Sequence, residues 1–362
     1  MMRLLTFLIA FLLMCPVRVL SDDRWGLERG TPNLQSAGAL AFGPDDVLFV
    51  GDTKSAAVFA IATGDFSGDP VRTDINITDF RTALSDACDA ETIINDLVVN
   101  PRTGTVFVSG TAGEVPVICQ IEGAGRITRL SLENVPFAKA TLPNAPEDRL
   151  VQRGRRKRND RRDAITDIAF YEGRILVSGL TAGEVPSSVR EFSFPFSAID
   201  RGTGIAIYHA AHGREEDYAA ARTFITLMID GEPNLLAAYT CTPLVKIPLN
   251  DLRNAGDRIQ ATTVAELGNR NRPLDMISYN RDGTDYLLLS NDRRGVMKIT
   301  TSGLSDNIGL SEPVRRGGVA GQTYEKIDSL QGVVQMDQLN DDSAIVLIDQ
   351  DKRVNLKTVS LP

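Results

Sequence analysis

The chain holds two histidines, His209 and His212, three residues apart in "YHAAHGREEDY". At that spacing two imidazoles share one side of a helical turn, where they could hold a metal ion or exchange protons. Two donors do not complete a zinc site, so Glu215, Glu216, Asp217 or Cys241 would have to fold in beside them. Cys241 becomes a nucleophile only where a neighbouring base lowers its pKa, and either histidine could be that base. In "AAYTCTPLV" its neighbours are largely apolar, which is the setting of an inert buried thiol. A second set is acidic. Asp96, Asp167 and Asp275 open three similar apolar segments, and three convergent carboxylates suit calcium or another hard divalent cation. An aspartate at the start of a strand can equally spend its oxygens on neighbouring backbone N–H groups.

These residues need a scaffold that brings distant positions together, and the chain carries a repeat able to do so. An apolar strand, a tight turn, a second apolar strand, a polar loop and a third strand recur from residues 39, 96, 167, 225, 276 and 333. The first turn of each unit is rich in Gly, Pro, Asn or Asp, which permit or preset turn dihedrals. Short Val-, Ile-, Leu- and Phe-rich strands without sustained helical periods predict an all-β chain, and radial repetition of such units predicts a six-bladed β-propeller. A seventh repeat would fit near 62 to 80 or 250 to 270, and insertions are expected at 134 to 164 and 209 to 223. The loop "TAGEVP" occurs at 111 to 116 and again at 181 to 186, consistent with internal duplication.

In a propeller the first turn of every unit opens on one face, while the second-to-third loop and the unit-to-unit connection open on the other. The second face is therefore predicted to gather Asn95, Asp96, Thr166, Asp167, Arg272, Asp275 and Gln331 at the channel. His209, His212, Arg214 and Arg222 join them in one connection, with Cys241 in a loop beside them. If "GTGIAIY" is an outer strand and "TFITLMI" an inner one, the histidine segment is the connection between the third and fourth units.

The N-terminus, with Arg3 and an apolar run from Leu4 to Met14, reads as an export signal over residues 1–21. Residues 22–362 then form one mature domain, expected to be periplasmic or secreted, without a transmembrane span and monomeric. The run is shorter than the roughly 20 residues of a membrane span. Net charge is −8, yet residues 149–162, "RLVQRGRRKRNDRR", carry eight basic residues against Asp160 alone. That insertion is +7 and leaves −15 on the rest. It could meet an acidic glycan or a membrane surface, or be a solvated loop; no aromatic is interleaved to stack on bases, so nucleic acid is not an expected partner. Three cysteines follow the leader, and Cys88 with Cys119 is the preferred pair in an oxidising compartment.

The segment "NDLVVNPRTGTVFVSGTAGE", residues 95 to 114, resembles the asparagine–aspartate blade of the gluconolactonase and regucalcin (SMP-30) family. The resemblance implies a six-bladed propeller with a divalent cation at the channel and Asn95 near the substrate. Where that family carries a metal-binding glutamate this chain reads "QSAGALAF", and in place of a second asparagine it offers Asp275 in "PLDMISY".

Two functions follow as expectations. One is an exported binding or interaction propeller that presents its loop-rich face to a small molecule, glycan or protein. The other is a divalent-metal-dependent hydrolase of lactonase type, with Asp96, Asp167 and Asp275 as the metal set and a cation such as calcium as cofactor. The absence of C-x-x-C-H excludes covalent c-type haem.

Overall fold

A computed structural model describes residues 25–153, 156–254 and 256–362, so the export signal expected at 1–21 lies outside the described residues. Each of the six sequence units forms three consecutive antiparallel strands. The innermost strands are Leu40–Phe42, Thr92–Val99, Asp167–Tyr171, Thr223–Ile229, Pro273–Arg281 and Val333–Asn340. Three of the turns that follow them are the pairs Glu172–Gly173, Asp230–Gly231 and Asp282–Gly283, with both residues at positive φ. That is the two-residue turn whose twist matches the flanking strands.

The second strand of each unit explains the apolar runs. Val47–Asp52 is buried along its whole length because sheets cover both of its faces. Val47 and Phe49 pack towards Ile175 and Val177 of the third sheet, whereas Leu48 and Val50 pack towards Phe107 and Ile118 of the second. The period of two thus feeds two separate cores. The same division gives four further clusters: second with sixth sheet, third with fourth, fourth with fifth, and fifth with sixth.

The outer strands depart from a simple repeat. Sheets two to five close with the strands Ile127–Arg129, Thr203–His209, Arg258–Leu267 and Tyr324–Ile327, each following its own unit. The first sheet instead takes Val135–Thr141, which comes after the second unit, and the sixth takes Asn76–Ile77, which comes after the first. In space the first sheet therefore lies between the second and third, and the second lies between the first and sixth. The expected insertion at 134 to 164 thus contains a sheet strand. The segment at 62 to 80 supplies the strand of the sixth sheet, and 250 to 270 supplies helix Leu249–Asn254 and the fourth sheet's outer strand. None of these segments forms a separate repeat among the described residues. Thr203–His209 also runs parallel to Arg258–Leu267 and joins the third and fourth sheets.

The histidine connection, where a helical turn was one expectation, instead contains the short strand Arg214–Glu216, while helices form at Phe80–Ala87 and Leu249–Asn254. Phe80 and Leu84, four apart, bury one face of the first helix against the core between the second and sixth sheets. The helix delivers Cys88 to Cys119, with the two buried Sγ atoms 3.3 Å apart and both thiols free. A small rotation would bring them to bonding distance. In an oxidising compartment the native protein is expected to be two hydrogens lighter than the fully reduced chain, and Cys88→Ser should abolish the difference. Intact mass before and after reduction checks this.

Candidate functional site

The six innermost strands stand side by side around a channel, in the order Thr92–Val99, Leu40–Phe42, Asp167–Tyr171, Thr223–Ile229, Pro273–Arg281, Val333–Asn340 and back to Thr92–Val99. Three of them carry a bulge at one register, between Ile94 and Asp96, Pro273 and Asp275, and Val333 and Gln335. A bulge re-aims the next side chain, and here it turns Asp96, Asp275 and Gln335 towards the channel. Gln331 had been expected there. It precedes the sixth inner strand, and the bulge gives its place to Gln335.

The carboxylates brace neighbouring strands. Asp96 Oδ2 accepts from Leu40 N–H (2.7 Å), Asp167 Oδ2 from Phe224 N–H (2.8 Å) and Asp275 Oδ2 from Met336 N–H (2.7 Å). Asp337, which the sequence reading passed over, accepts likewise from Val99 N–H (2.7 Å). With its amide nitrogen turned to the carboxylates, Gln335 donates to Asp96 Oδ1 (2.8 Å) and Asp275 Oδ2 (2.9 Å). Asn95 donates to the Ala37 carbonyl at 2.7 Å. Burial pushes Asp167 and Asp337 up to about 6. Burial, together with mutual repulsion within the layer, raises Asp96 and Asp275 well above the ordinary range.

Asp96, Asp167 and Asp275 line two recesses at once. One, of about 560 Å³, opens towards the tight turns at Pro101 and Asp341. The other, of about 240 Å³, opens on the loop-rich face and is walled by Asn95, Thr166, Arg222, Arg272 and Gln335. Arg222 Nη1 donates to Asp163 Oδ1 at 2.9 Å, and Arg272 is exposed.

His209, His212, Arg214 and Cys241, expected on the same face, are not among the residues that wall this recess. The sequence allowed a helical turn here, but His209 ends the third sheet's outer strand and pairs with Arg214 across a tight hairpin. The hairpin places both rings on Glu216: His209 Nδ1 meets Oε2 and His212 Nδ1 meets Oε1, each at 2.8 Å. Arg214 Nε donates to the same carboxylate at 3.0 Å. Burial would raise Glu216, but hydrogen bonds from His209, His212 and Tyr218 outweigh it and hold the group at about 2. Burial lowers His209. Glu266, the penultimate residue of the fourth sheet's outer strand, is fully buried, and burial pushes it up to about 7. Cys241 sits in a turn where it and Thr242 both have positive φ, 70° and 63°. Non-glycine residues held there store strain of order 1–3 kcal/mol each. Among the described residues, the metal-binding side chains whose ligand atoms gather within 4.8 Å of one another are His209, His212 and Cys241.

Arginines crowd the same face. Loops 268–272, 292–294 and 315–318 are tied together by Asn269 N–H to Gly317 O, Arg293 N–H to Asn271 Oδ1 and Arg294 Nη2 to Asn269 O. They carry Arg270, Arg272, Arg293, Arg294, Arg315 and Arg316. Across the channel, the basic insertion forms a hairpin, Val151–Arg153 with Arg156–Arg158, where a solvated loop had been one expectation. Arg161 anchors it to the loop face through the carbonyls of Pro146 (2.5 Å) and Lys54 (3.0 Å). Part of its charge is neutralised locally, since Arg158 pairs with Asp163 and Arg149 with Glu147.

Glu216 had been considered as a donor, and its value lies in reaching both rings. Asp337 and Gln335 share the motif "VVQMDQ", and only the bulge decides which side chains face inward. Glu266 left one trace, an acid closing the apolar run "TTVAEL".

No protein-family model matches this chain, and neither does any curated protein. The resemblance of residues 95 to 114 to the gluconolactonase and regucalcin family therefore rests on those residues alone. Solved structures of similar arrangement are propeller-like. A streptogramin B lyase is 10% identical, with 92% of this chain and 97% of that one covered at a TM-score of 0.34. The PQQ-bound aldose sugar dehydrogenase of Streptomyces coelicolor is 11% identical, with 92% and 98% covered at 0.32. The extracellular region of plexin A4 is 8% identical, with 93% and 40% covered at 0.42. The described residues are mainly β by their own strands, and no helix among them is long and apolar enough to cross a membrane.

Proposed function

We propose that the chain is an exported six-bladed propeller that binds an acidic glycan or a similar polyanion across its loop-rich face, centred on the mouth of the channel. The observation that carries this reading is the gathering of arginines on one face of a chain whose net charge is −8. Arg222 and Arg272 wall the recess, five more arginines sit with Arg272 on the three tied loops, and the basic hairpin lies opposite. Guanidinium groups match carboxylate and sulfate oxygens in paired hydrogen bonds, and a positive face steers anions towards it. Exported chains meet such glycans, which links the leader to the site.

Binding is favoured over hydrolysis by what the carboxylates already do. Each of Asp96, Asp167 and Asp275 gives an oxygen to a neighbouring strand's N–H, and Gln335 lies between two of them. That supports a bracing role. Uronate or sulfated oligosaccharides are expected to bind with an affinity that falls as salt is raised, and neutral oligosaccharides of equal length are not. Arg272→Ala should weaken binding at least tenfold, since a hydrogen bond to a charged group contributes about 1.5–3 kcal/mol. Calorimetry at two salt concentrations tests this; equal affinity for neutral and acidic sugars, or an unaffected variant, would reject it.

A further inference from the structure

We propose that His209, His212 and Cys241 form a binding site for a zinc-type transition-metal ion, with Glu216 as the carboxylate that orients both imidazoles and Glu266 as a buried acid facing His209. The site does not depend on the glycan reading. One nitrogen of each ring and the Cys241 Sγ already lie within 4.8 Å of one another. Zinc bonds of about 2.0–2.1 Å to nitrogen and about 2.3 Å to sulfur require donor separations of about 3.3–3.7 Å in a tetrahedron. The cluster therefore needs to contract by about an ångström, which a hairpin and a turn can supply.

Two unpaired atoms point to an ion in particular. His209 is 2% exposed, its Nδ1 is taken by Glu216, and its Nε2 is buried without a partner. Glu266 is 0% exposed, its Oε1 accepts from Ala211 N–H at 3.1 Å, and its Oε2 is buried without a partner. The two side chains face each other, with His209 Nε2 3.9 Å from Glu266 Oε1. That is too far for a hydrogen bond and close to the separation of two ligands on one metal. Buried polar atoms are rarely left unpaired, and a cation shared by the two imidazoles and the Cys241 thiolate would satisfy the His209 nitrogen, with the Glu266 carboxyl facing it.

The surrounding carboxylate has the form such sites use. A metal-bound histidine typically gives its other N–H to a carboxylate, which fixes the tautomer and aims the free nitrogen. Glu216 does this for both rings, and Arg214 holds it from the solvent side. Two imidazoles with a thiolate select zinc, cobalt(II) or copper over calcium, which takes oxygen ligands. The ion would join the end of the third sheet's outer strand to the 241 loop.

The test uses the full-length mature protein stripped of metal. Zinc titrated against a chromophoric chelator is expected to bind in one equivalent, and cobalt(II) loading should give a thiolate-to-cobalt charge-transfer band. Zinc should also protect Cys241 of the unaltered protein from alkylation by iodoacetamide. Cys241→Ser should abolish the band, His212→Gln should weaken zinc at least a hundredfold, and Glu216→Gln about 10–100-fold. His212 is 41% exposed and Cys241 half-buried, so both variants are expected to melt like the parent in chelator. An absent band, unprotected alkylation, or one equivalent of zinc that survives both Cys241→Ser and His212→Gln would overturn the site; in the last case the ion lies elsewhere.

Discussion

Asp96→Ala is expected to lower the melting temperature by several degrees, while Asp96→Asn leaves it equal to or above that of the parent at pH 7. Alanine strands the Leu40 N–H and removes one of the two acceptors of the Gln335 amide. A buried donor left unmade costs about 1–3 kcal/mol. Asparagine keeps an oxygen for Leu40, and Gln335 can rotate to offer its own oxygen to the new amide. It also removes a charge that burial and Asp167 disfavour. Thermal denaturation of the two variants decides the matter. If both are equally destabilised, the ionised carboxylate itself is required, as a bound cation would require.

Stability is expected to be higher near pH 5 than at pH 8, the reverse of the usual acid sensitivity. Asp167 and Asp337 are raised to about 6 and Glu266 to about 7, so the folded protein holds protons that the unfolded chain has already released. Such a contribution is fully present below the unfolded value of about 4 and is lost as pH rises through about 6 to 7. Two groups oppose it. His209 is lowered, so its contribution is lost as pH falls below about 6.5, and Glu216, held at about 2, loses its contribution only below about 4.5. A maximum near pH 5 results. Each raised aspartate amounts to at most about 3 kcal/mol, and water in the channel should reduce that to about 1 kcal/mol. Melting curves from pH 4 to 8 should show the rise, and Asp167→Asn with Asp337→Asn should flatten it. A melting temperature that climbs steadily to pH 8 would show that these carboxyls are ionised in the folded protein.

The strand–turn–strand units were legible because their causes are local: alternation that feeds two cores, and turns such as Asp282–Gly283 that demand positive φ. The outer strands were not. Asn76–Ile77 and Tyr324–Ile327 are short and mostly polar, and their place is set by which sheet edge remains open. The helix Phe80–Ala87 did leave a trace, apolar residues four apart, which the surrounding strand pattern masked. At the site, the type and spacing of His209 and His212 were visible, but their meeting depends on a hairpin and on Glu216 closing it. Asp96 and Asp275 were found from their place before apolar runs; Gln335 required the bulge, which sequence alone does not mark.

The exchange of outer strands has a kinetic consequence. Ile75 N–H bonds Thr358 Oγ1 across 283 positions, so the sixth sheet cannot be completed until almost the whole chain exists. The first sheet likewise waits for Val135–Thr141, by which time the second sheet must already be wedged beside it. Completion of both sheets therefore depends on segments distant in the chain, and high contact order makes such closure slow. The last step of assembly is then expected to be the meeting of the segments around Ile75 and Thr358, which lie near opposite ends of the described chain.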